Sequence, residues 1–571
     1  MPGQTPSRTQ SDTPNTGYAE HRSRSHDAVI RVYDAVGNVI ETLEHKAISK
    51  SGENWLDLSP LFCFQLGARI MRMRFAAIAA LLMCAIVMQA HAATITVTNT
   101  NDSGPGSLRQ ALRDAHDGDT ITFTVTGTIT LTSGGLPVTK NVTISGPGTN
   151  QLSVGGNQAL LVFGIFPSKT ATISGLSIRN GQAGIWNEGT LTVSDCVVSD
   201  NSYEALYNEY GTATVSNCVV SGNSGTGLYA HYGTLTVSNC NVSGNAFGIY
   251  SDHGTATVSN CLVTGNSSGG LGDNGSYGPS PNDRTFQGAF LTIADSTISN
   301  NSGPGVDNGG GDLTIVSSTL TGNDNPAGQN SGYGGGIYAH YAGKAPPGTT
   351  IINSTINGNS AFYDGGGISA PYLMIANSTI SGNSAGDSGG GISGGGMVIT
   401  NSTVSGNSAG NTGGGITTGG QTVITNSTIS GNSASSGGGI YNVAALHTGN
   451  TIFNAGASGE NIFNNGGTVT SLGYNISSDN GGGYLNGPGD QINTDPLLAP
   501  LQDNGGPTFT HLPLPGSPAI DAGDPSFTRP PFHDQRGSCF YRVFGRRIDI
   551  GSVETQPRPR CVTPAPRPTP H

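Results

Sequence analysis

Residues 191–254 read LTVSDCVVSDNSYEALYNEYG, TATVSNCVVSGNSGTGLYAHYG and TLTVSNCNVSGNAFGIYSDHG, three versions of one unit. One asparagine marks the register. It recurs at Asn201, Asn223, Asn245 and Asn266 in steps of 22, 22 and 21, and at Asn359, Asn383, Asn407 and Asn432 in steps of 24, 24 and 25. The longer steps, 35 from Asn266 to Asn301 and 36 from Asn323 to Asn359, predict loops thrown out of single turns. Each unit holds three short alternating segments and no helical period. Around Cys240, Leu235 and Val237 are expected inward on the first strand, Cys240 and Val242 on the second, and Phe247 and Ile249 on the third. Ser238-Asn239 and Ser243-Gly244-Asn245 are the corners, where Gly supplies positive φ and Asn tolerates it. This pattern predicts an all-β fold, a right-handed parallel β-helix whose strands stack on their equivalents about 4.8 Å along the axis.

Stacking turns equivalent positions into columns. Asn217, Asn239 and Asn260, continued by Asn353, Asn377, Asn401 and Asn426, are expected to form a buried amide column. Cys196, Cys218, Cys240 and Cys261 form another, taken over by Ser354, Ser378, Ser402 and Ser427. Cysteines in line cannot surround an ion tetrahedrally, so no metal site is expected. They read as small buried thiols, near enough between coils for a disulfide.

On the outside, Trp186, Tyr207, Tyr229 and Tyr250 recur in steps of 21, 22 and 21, each after an apolar residue. Tyr210, Tyr232 and His253 repeat nearby. If the apolar neighbours face the core, alternation exposes a strip of rings. Flat rings with polar rims suit stacking on sugars, and glycan binding is the functional reading of these six aromatic residues. The structural alternative is a ladder that only stabilises the stack.

The 571 residues include 89 Gly, only 11% are charged, and the net charge is −12. Nothing resembles a basic stripe for phosphates, so nucleic acid is not an expected partner. Met71, Arg72 and Arg74, the apolar run 75–88 and Ala90-His91-Ala92 form a signal-peptide pattern over 71–92. Residues 1–70 precede it and read as a misassigned start or a disordered extension, with one hairpin between Ala28 and Lys46 around Gly37-Asn38. A membrane contact is expected only if the signal segment stays uncleaved. Residues 93–475 form the β-helix. Its N-terminal end is expected to be covered by an amphipathic helix capped by Ser107, with Leu108, Ala111, Leu112 and Ala115 on one face. A C-terminal capping module spans 476–555 and a Pro-rich tail 556–571.

The module carries specific motifs: Asn493-Thr494-Asp495-Pro496, Asp503-Asn504-Gly505-Gly506-Pro507-Thr508, Pro515-Gly516-Ser517-Pro518-Ala519-Ile520-Asp521-Ala522-Gly523, Asp534-Gln535-Arg536-Gly537 and Ile548-Asp549-Ile550-Gly551. With Gly106-Ser107-Leu108-Arg109-Gln110-Ala111, they resemble bacterial choice-of-anchor Q proteins, surface β-helix proteins of the pectin-lyase-like superfamily. That resemblance implies a secreted or surface protein. The tail departs from the family by lacking a hydrophobic sorting segment. A disulfide between Cys539 and Cys561 is the expected clamp for that tail. The GGGI tetrads from Gly334–Ile337 to Gly437–Ile440 are similar to repeats of chlamydial polymorphic outer-membrane adhesins.

No catalytic residues and no cofactor are assigned. Between Leu291 and Tyr441 the aspartates, including Asp307, Asp312, Asp324, Asp364 and Asp387, do not recur in register, so no carboxylate cluster is expected on one face. The charged residues of the terminal module, Arg529, His533, Asp534, Arg536, Arg546, Arg547 and Asp549, read as internal ion pairs. The expected function is adhesion or contact with glycan or matrix. The alternatives are a polysaccharide lyase or glycoside hydrolase, and a structural spacer.

Overall fold

The computed structural model describes residues 92–275, 290–328, 332–340 and 348–557, and the backbone of three strands near the N-terminus. Residues 1–90 and 91–571 are separate units. In the first, Ala19–Arg24, Asp27–Tyr33 and Val39–Lys46 form an antiparallel sheet. It contains the expected hairpin and one preceding strand. The signal segment, apart from Ala92, lies outside the described residues.

In the second unit each coil has three strands, as in Thr234–Ser238, Asn241–Ser243 and Phe247–Asp252. Pairing between coils is parallel and in register. Val237 lies between Val215 and Val258, and Val242 between Val220 and Val263. The second strands build one 15-stranded sheet, so the solenoid has about 15 turns. The first and third strands join in a 28-stranded sheet, because Ile368–Ala376 and Ile392–Thr400 run as single strands through the corner between them. The inward Val, Ile and Leu residues are buried in one continuous core. Burial of each stabilises by about 1.5–3 kcal/mol, and β-branched side chains fit the pleat.

The buried asparagine column is the register-marking one. Nδ2 of Asn201 donates to Oδ1 of Asn223, and the chain continues through Asn245, Asn266, Asn301, Asn323, Asn359, Asn383 and Asn407 to Asn432, at 2.8 to 3.2 Å. From Asn223 onward each Oδ1 also accepts the backbone N–H of the preceding asparagine, as Asn359 does from Asn323. From Asn223 onward each Nδ2 reaches back to a carbonyl, as Asn359 does to Leu320. The bonds from Asn266 to Asn301 and from Asn323 to Asn359 cross both long steps without loss of register. The column expected to be buried lies instead at a corner. Asn217, Asn239 and Asn260 are exposed with φ of 54°, 53° and 51°, so their task is to adopt the left-handed turn. Asn353 and Asn377 are half-buried at the same corner, and Asn401 and Asn426 are buried.

The thiol column is as expected. Cys196, Cys218, Cys240 and Cys261 are free and buried, and each of the first three backbone N–H groups points at the next sulfur at 3.4 Å. Ser296, Ser318, Ser354, Ser378, Ser402 and Ser427 continue it with hydroxyl acceptors. Phe247 departs from its expected inward place. It is half-buried on the outside, edge-on to Tyr250 at 5.3 Å, because Gly248 rather than Phe247 fills the interior before Ile249.

The N-terminal helix spans Leu108–Asp114, with the Ser107 hydroxyl accepting from Gln110 N and with Leu108, Ala111 and Leu112 buried. Arg109 fastens it to Asp102 and to the carbonyls of Gly134 and Gly135. At the other end Tyr484 and Leu485 pack on the core. The chain then turns back along the outside of the second sheet. Gln535 bonds Thr379 and Thr403, His511 bonds Ser405, and Ser552 bonds Thr428. Of the charged residues there, Arg536 pairs with Asp534 at 2.6 Å with both buried. Arg542 is fully buried and donates to the carbonyls of Asp549 and Gly551. Cys539 is disulfide-bonded, and Cys561 lies outside the described residues.

Asn359→Ala removes four ladder hydrogen bonds and strands the neighbouring amides, so it is expected to cost about 2–5 kcal/mol. Asn239→Ala, at the exposed corner, is expected to cost about 1–2 kcal/mol for the left-handed backbone. Denaturant unfolding of the two variants checks this, and equal losses would contradict the ladder's role.

Candidate functional site

Ile185, Leu206, Leu228 and Ile249 are buried, so the residue after each points outward. Trp186, Tyr207, Tyr229 and Tyr250 are therefore register partners on one face. Their ring centroids follow one another at 4.6, 5.0 and 5.7 Å. A second row sits at the adjoining corner. Tyr210 and Tyr232 stack at 5.3 Å and 5°, and Tyr232 stacks on His253 at 4.7 Å. His231 joins the rows, 4.5 Å from Tyr232 and 6.3 Å from Tyr229. All six aromatic residues singled out in the sequence thus come together. Tyr210 is 67% and Trp186 38% exposed, and the other four are half-buried against their neighbours.

The second row carries a cost. Tyr210, Tyr232 and His253 have φ of 53°, 52° and 57°. Bulky residues rarely adopt this region, which costs roughly 1–2 kcal/mol for residues with a Cβ and less for Asn. The corner at Asn239 shows the cheaper solution in the same coils.

Charged groups edge the rows. The Tyr207 hydroxyl lies 3.3 Å from His231 Nδ1, and Tyr229 donates to Asp252 at 3.3 Å. His231 stands between Glu209 at 3.9 Å and Asp252 at 3.6 Å, and His253 Nδ1 is 2.7 Å from Asp252. Burial and the nearby Glu209, Glu204 and Asp252 push the Tyr207 hydroxyl up to about 12. Burial, then Asp307, Asp252 and Asp273, raise that of Tyr250 further. Gly272 is the register partner of both Tyr250 and Asp307, and a Cβ there would meet the Tyr250 ring at 2.8 Å. Tyr250 and Phe247 therefore lean over Gly272 and Gly269 of the next coil, which have no side chain to hold them off. Beyond it, Asp307 pairs with His340 at 3.3 Å, and Tyr338 stacks on His340 at 4.8 Å.

Three carboxylates act on the Tyr250 hydroxyl at the end of the rows without sharing one face. Asp252, Asp273 and Asp307 occupy three different positions within their coils, so no single column in the sequence contains them. Asp273 is the inward one. It stands in the row of Asn208, Ser251 and Asn308. Its Oδ1 accepts from Gly309 N at 2.9 Å, and its Oδ2 has no hydrogen-bond partner among the described residues. Among the described residues no group of three His, Cys, Asp or Glu has the geometry to hold a metal ion.

Residues 127–286 match the family model for the right handed beta helix region, which gives the hand of the coil. No curated protein matches the sequence. Solved structures share the coil architecture at low identity. The A-module of the Azotobacter vinelandii mannuronan C-5 epimerase AlgE6 is 13% identical over 66% of this chain and 97% of its own, with a TM-score of 0.38. The pectate lyase Pel9A is 13% identical over 81% and 96%, with a TM-score of 0.25. Tailspike protein 3 of bacteriophage CBA120 is 11% identical over 64% and 58%, with a TM-score of 0.30. These likenesses bear on no individual residue of the chain.

Burial pushes the Asp273 carboxyl up from 3.8 to about 8. The unfolded chain releases this proton near 3.8 while the folded chain keeps it until about 8, so the folded state loses stability as pH rises across that window. Asp273→Asn removes the loss. The melting-point difference between variant and parent is expected to widen in the variant's favour from pH 4 to pH 8. A constant difference across that range would contradict the buried, protonated carboxyl.

Proposed function

We propose that the two rows of rings bind a polysaccharide chain laid lengthwise along the coils, and that the protein acts in adhesion or matrix contact. The carrying observation is the double row itself: one ring per coil in each row, on one face, at nearly constant spacing, tilted in the first row and stacked in the second. The left-handed tyrosines support the reading, because a residue that served only the corner would be Asn or Gly. Rings in contact also stabilise the stack, but that alone does not account for tyrosine at the costly corner. We further propose that the protein works outside the cell, secreted or at the surface. The signal pattern of 71–92 and the similarity of the terminal motifs to choice-of-anchor Q proteins support this.

Trp186→Ala with Tyr229→Ala is expected to abolish binding to polysaccharide in affinity electrophoresis. Each ring lost removes about 0.5–1.5 kcal/mol beyond its buried area. Tyr210→Asn is expected to weaken binding while leaving the melting point unchanged or higher, because Asn tolerates the left-handed backbone. Binding that survives the double substitution would refute the strip.

One observation favours a second reading, a polysaccharide-cleaving enzyme. Asp252 with His253 and Asp307 with His340 place acid and base side chains beside the rows. General acid–base work needs such groups within reach of a bound glycosidic linkage. Incubation with neutral and uronate polysaccharides in the presence of calcium, counting new chain ends, tests it. New ends that vanish in Asp307→Asn would establish the enzyme. None across the panel would leave contact without cleavage.

A further inference from the structure

The rows carry a definite electrostatic sign. Residues 180–283 contain no Lys and no Arg. The rings are edged instead by Glu204, Glu209, Asp252 and Asp307, which act on the hydroxyls of Tyr207, Tyr229 and Tyr250. Among the described residues the basic groups facing them are His231, His253 and His340, each already against one of these carboxylates. With all three histidines protonated, four carboxylates still outnumber them. Asp273 is inward and is not counted.

We propose that the occupant is an amino-sugar polymer with free ammonium groups, and that uronate polymers are excluded. The proposal rests on the glycan reading of the rows and adds the substrate class. The chemistry of the two parts is complementary. Aromatic faces attract cations through their quadrupole, most strongly when partly desolvated. Carboxylates at the ring edges then pair with the same ammonium group. A uronate would bring a like charge beside Glu209 and Asp252, with no Lys or Arg among the described residues of these coils to receive it. A neutral N-acetylated sugar would stack but leave those carboxylates without a cationic partner. His231 lies 3.9 Å from Glu209 and 3.6 Å from Asp252, its ring meets the Tyr207 hydroxyl and Asp252 accepts from that of Tyr229, so both acids stand beside the rings where a sugar substituent would lie.

Calorimetry of the full chain at pH 6 and low salt, with three probes, tests this. The probes are the glucosamine hexamer, its N-acetylated form and hexagalacturonate. The glucosamine hexamer is expected to bind at least about 10-fold more tightly than the N-acetylated one, with hexagalacturonate not bound. Salt at about 0.5 M is expected to remove most of the preference in the unaltered protein. Glu209→Gln with Asp252→Asn is expected to bring the ratio near 1. Trp186→Ala with Tyr229→Ala should abolish glucosamine binding, which separates the site from general attraction to a chain of net charge −12. Equal affinity for the two hexosamine forms, tighter uronate binding, or a preference that persists in Glu209→Gln with Asp252→Asn would overturn the amino-sugar assignment and leave the glycan strip standing. No binding of any probe would overturn both.

Discussion

The structure depends on one repeated bond, the asparagine amide that donates to its equivalent one coil on. Nine such bonds run in series from Asn201 to Asn432. Each asparagine also satisfies backbone groups that a buried corner would otherwise strand, and a stranded group is expensive in a dry interior. The ladder therefore fixes where every coil must return. Coils of 21 to 25 residues meet it with small changes at the corners. A coil of 35 or 36 meets it only by ejecting the surplus, and the ladder runs unbroken across both such steps. The Cys and Ser column does the same for a second corner through backbone-to-side-chain bonds, and sulfur and hydroxyl interchange there because each accepts one N–H.

Fixing the interior register also fixes the exterior. A residue type repeated once per coil becomes a row whether it points in or out, as buried Leu206 and outward Tyr207 show side by side. The aromatic rows are in this sense a by-product of the ladder, and their spacing is the spacing of the coils. That gives a ligand with its own linear repeat something to match, which a single pocket does not. It also explains why the terminal residues lie along the flank of the stack. Thr379, Thr403 and Thr428 form a polar row on the second sheet, and Gln535 and Ser552 fasten to it at successive coils.

Much of this was legible in the sequence because it is periodic. The three strands per coil, the inward Val237 and Val242, the thiol column and the six outer rings follow from spacing and alternation alone. What escaped lacks a period or shares one. The two asparagine columns have the same steps, so spacing does not tell Asn245 in the ladder from Asn239 at the corner. Only the ladder's carbonyl partners in the previous coil distinguish them. Phe247 looked inward by alternation, but Gly248 shifts which residues fill the interior. Asp252, Asp273 and Asp307 sit at three different positions of their coils and separate by unequal steps, so their common action on Tyr250 is a property of stacking. The docking of the terminal module was hidden as well, since the threonines it covers resemble every other exterior threonine.

Departures from the cheapest local solution concentrate in the same few coils. Tyrosines take left-handed corners that asparagine fills elsewhere, an aspartate with an unpartnered oxygen replaces the amide that Asn208 and Asn308 supply in its row, and a glycine interrupts the outer row so that two rings lean over it. Each of these changes has a backbone or burial cost, and a parallel β-helix tolerates them because the ladders on either side over-determine the backbone. Selection for stability alone would remove them one by one, since each has a cheaper substitute present in a neighbouring coil. Costs gathered on one face and held in place by a ladder on another are what a binding surface built on a repeat should look like.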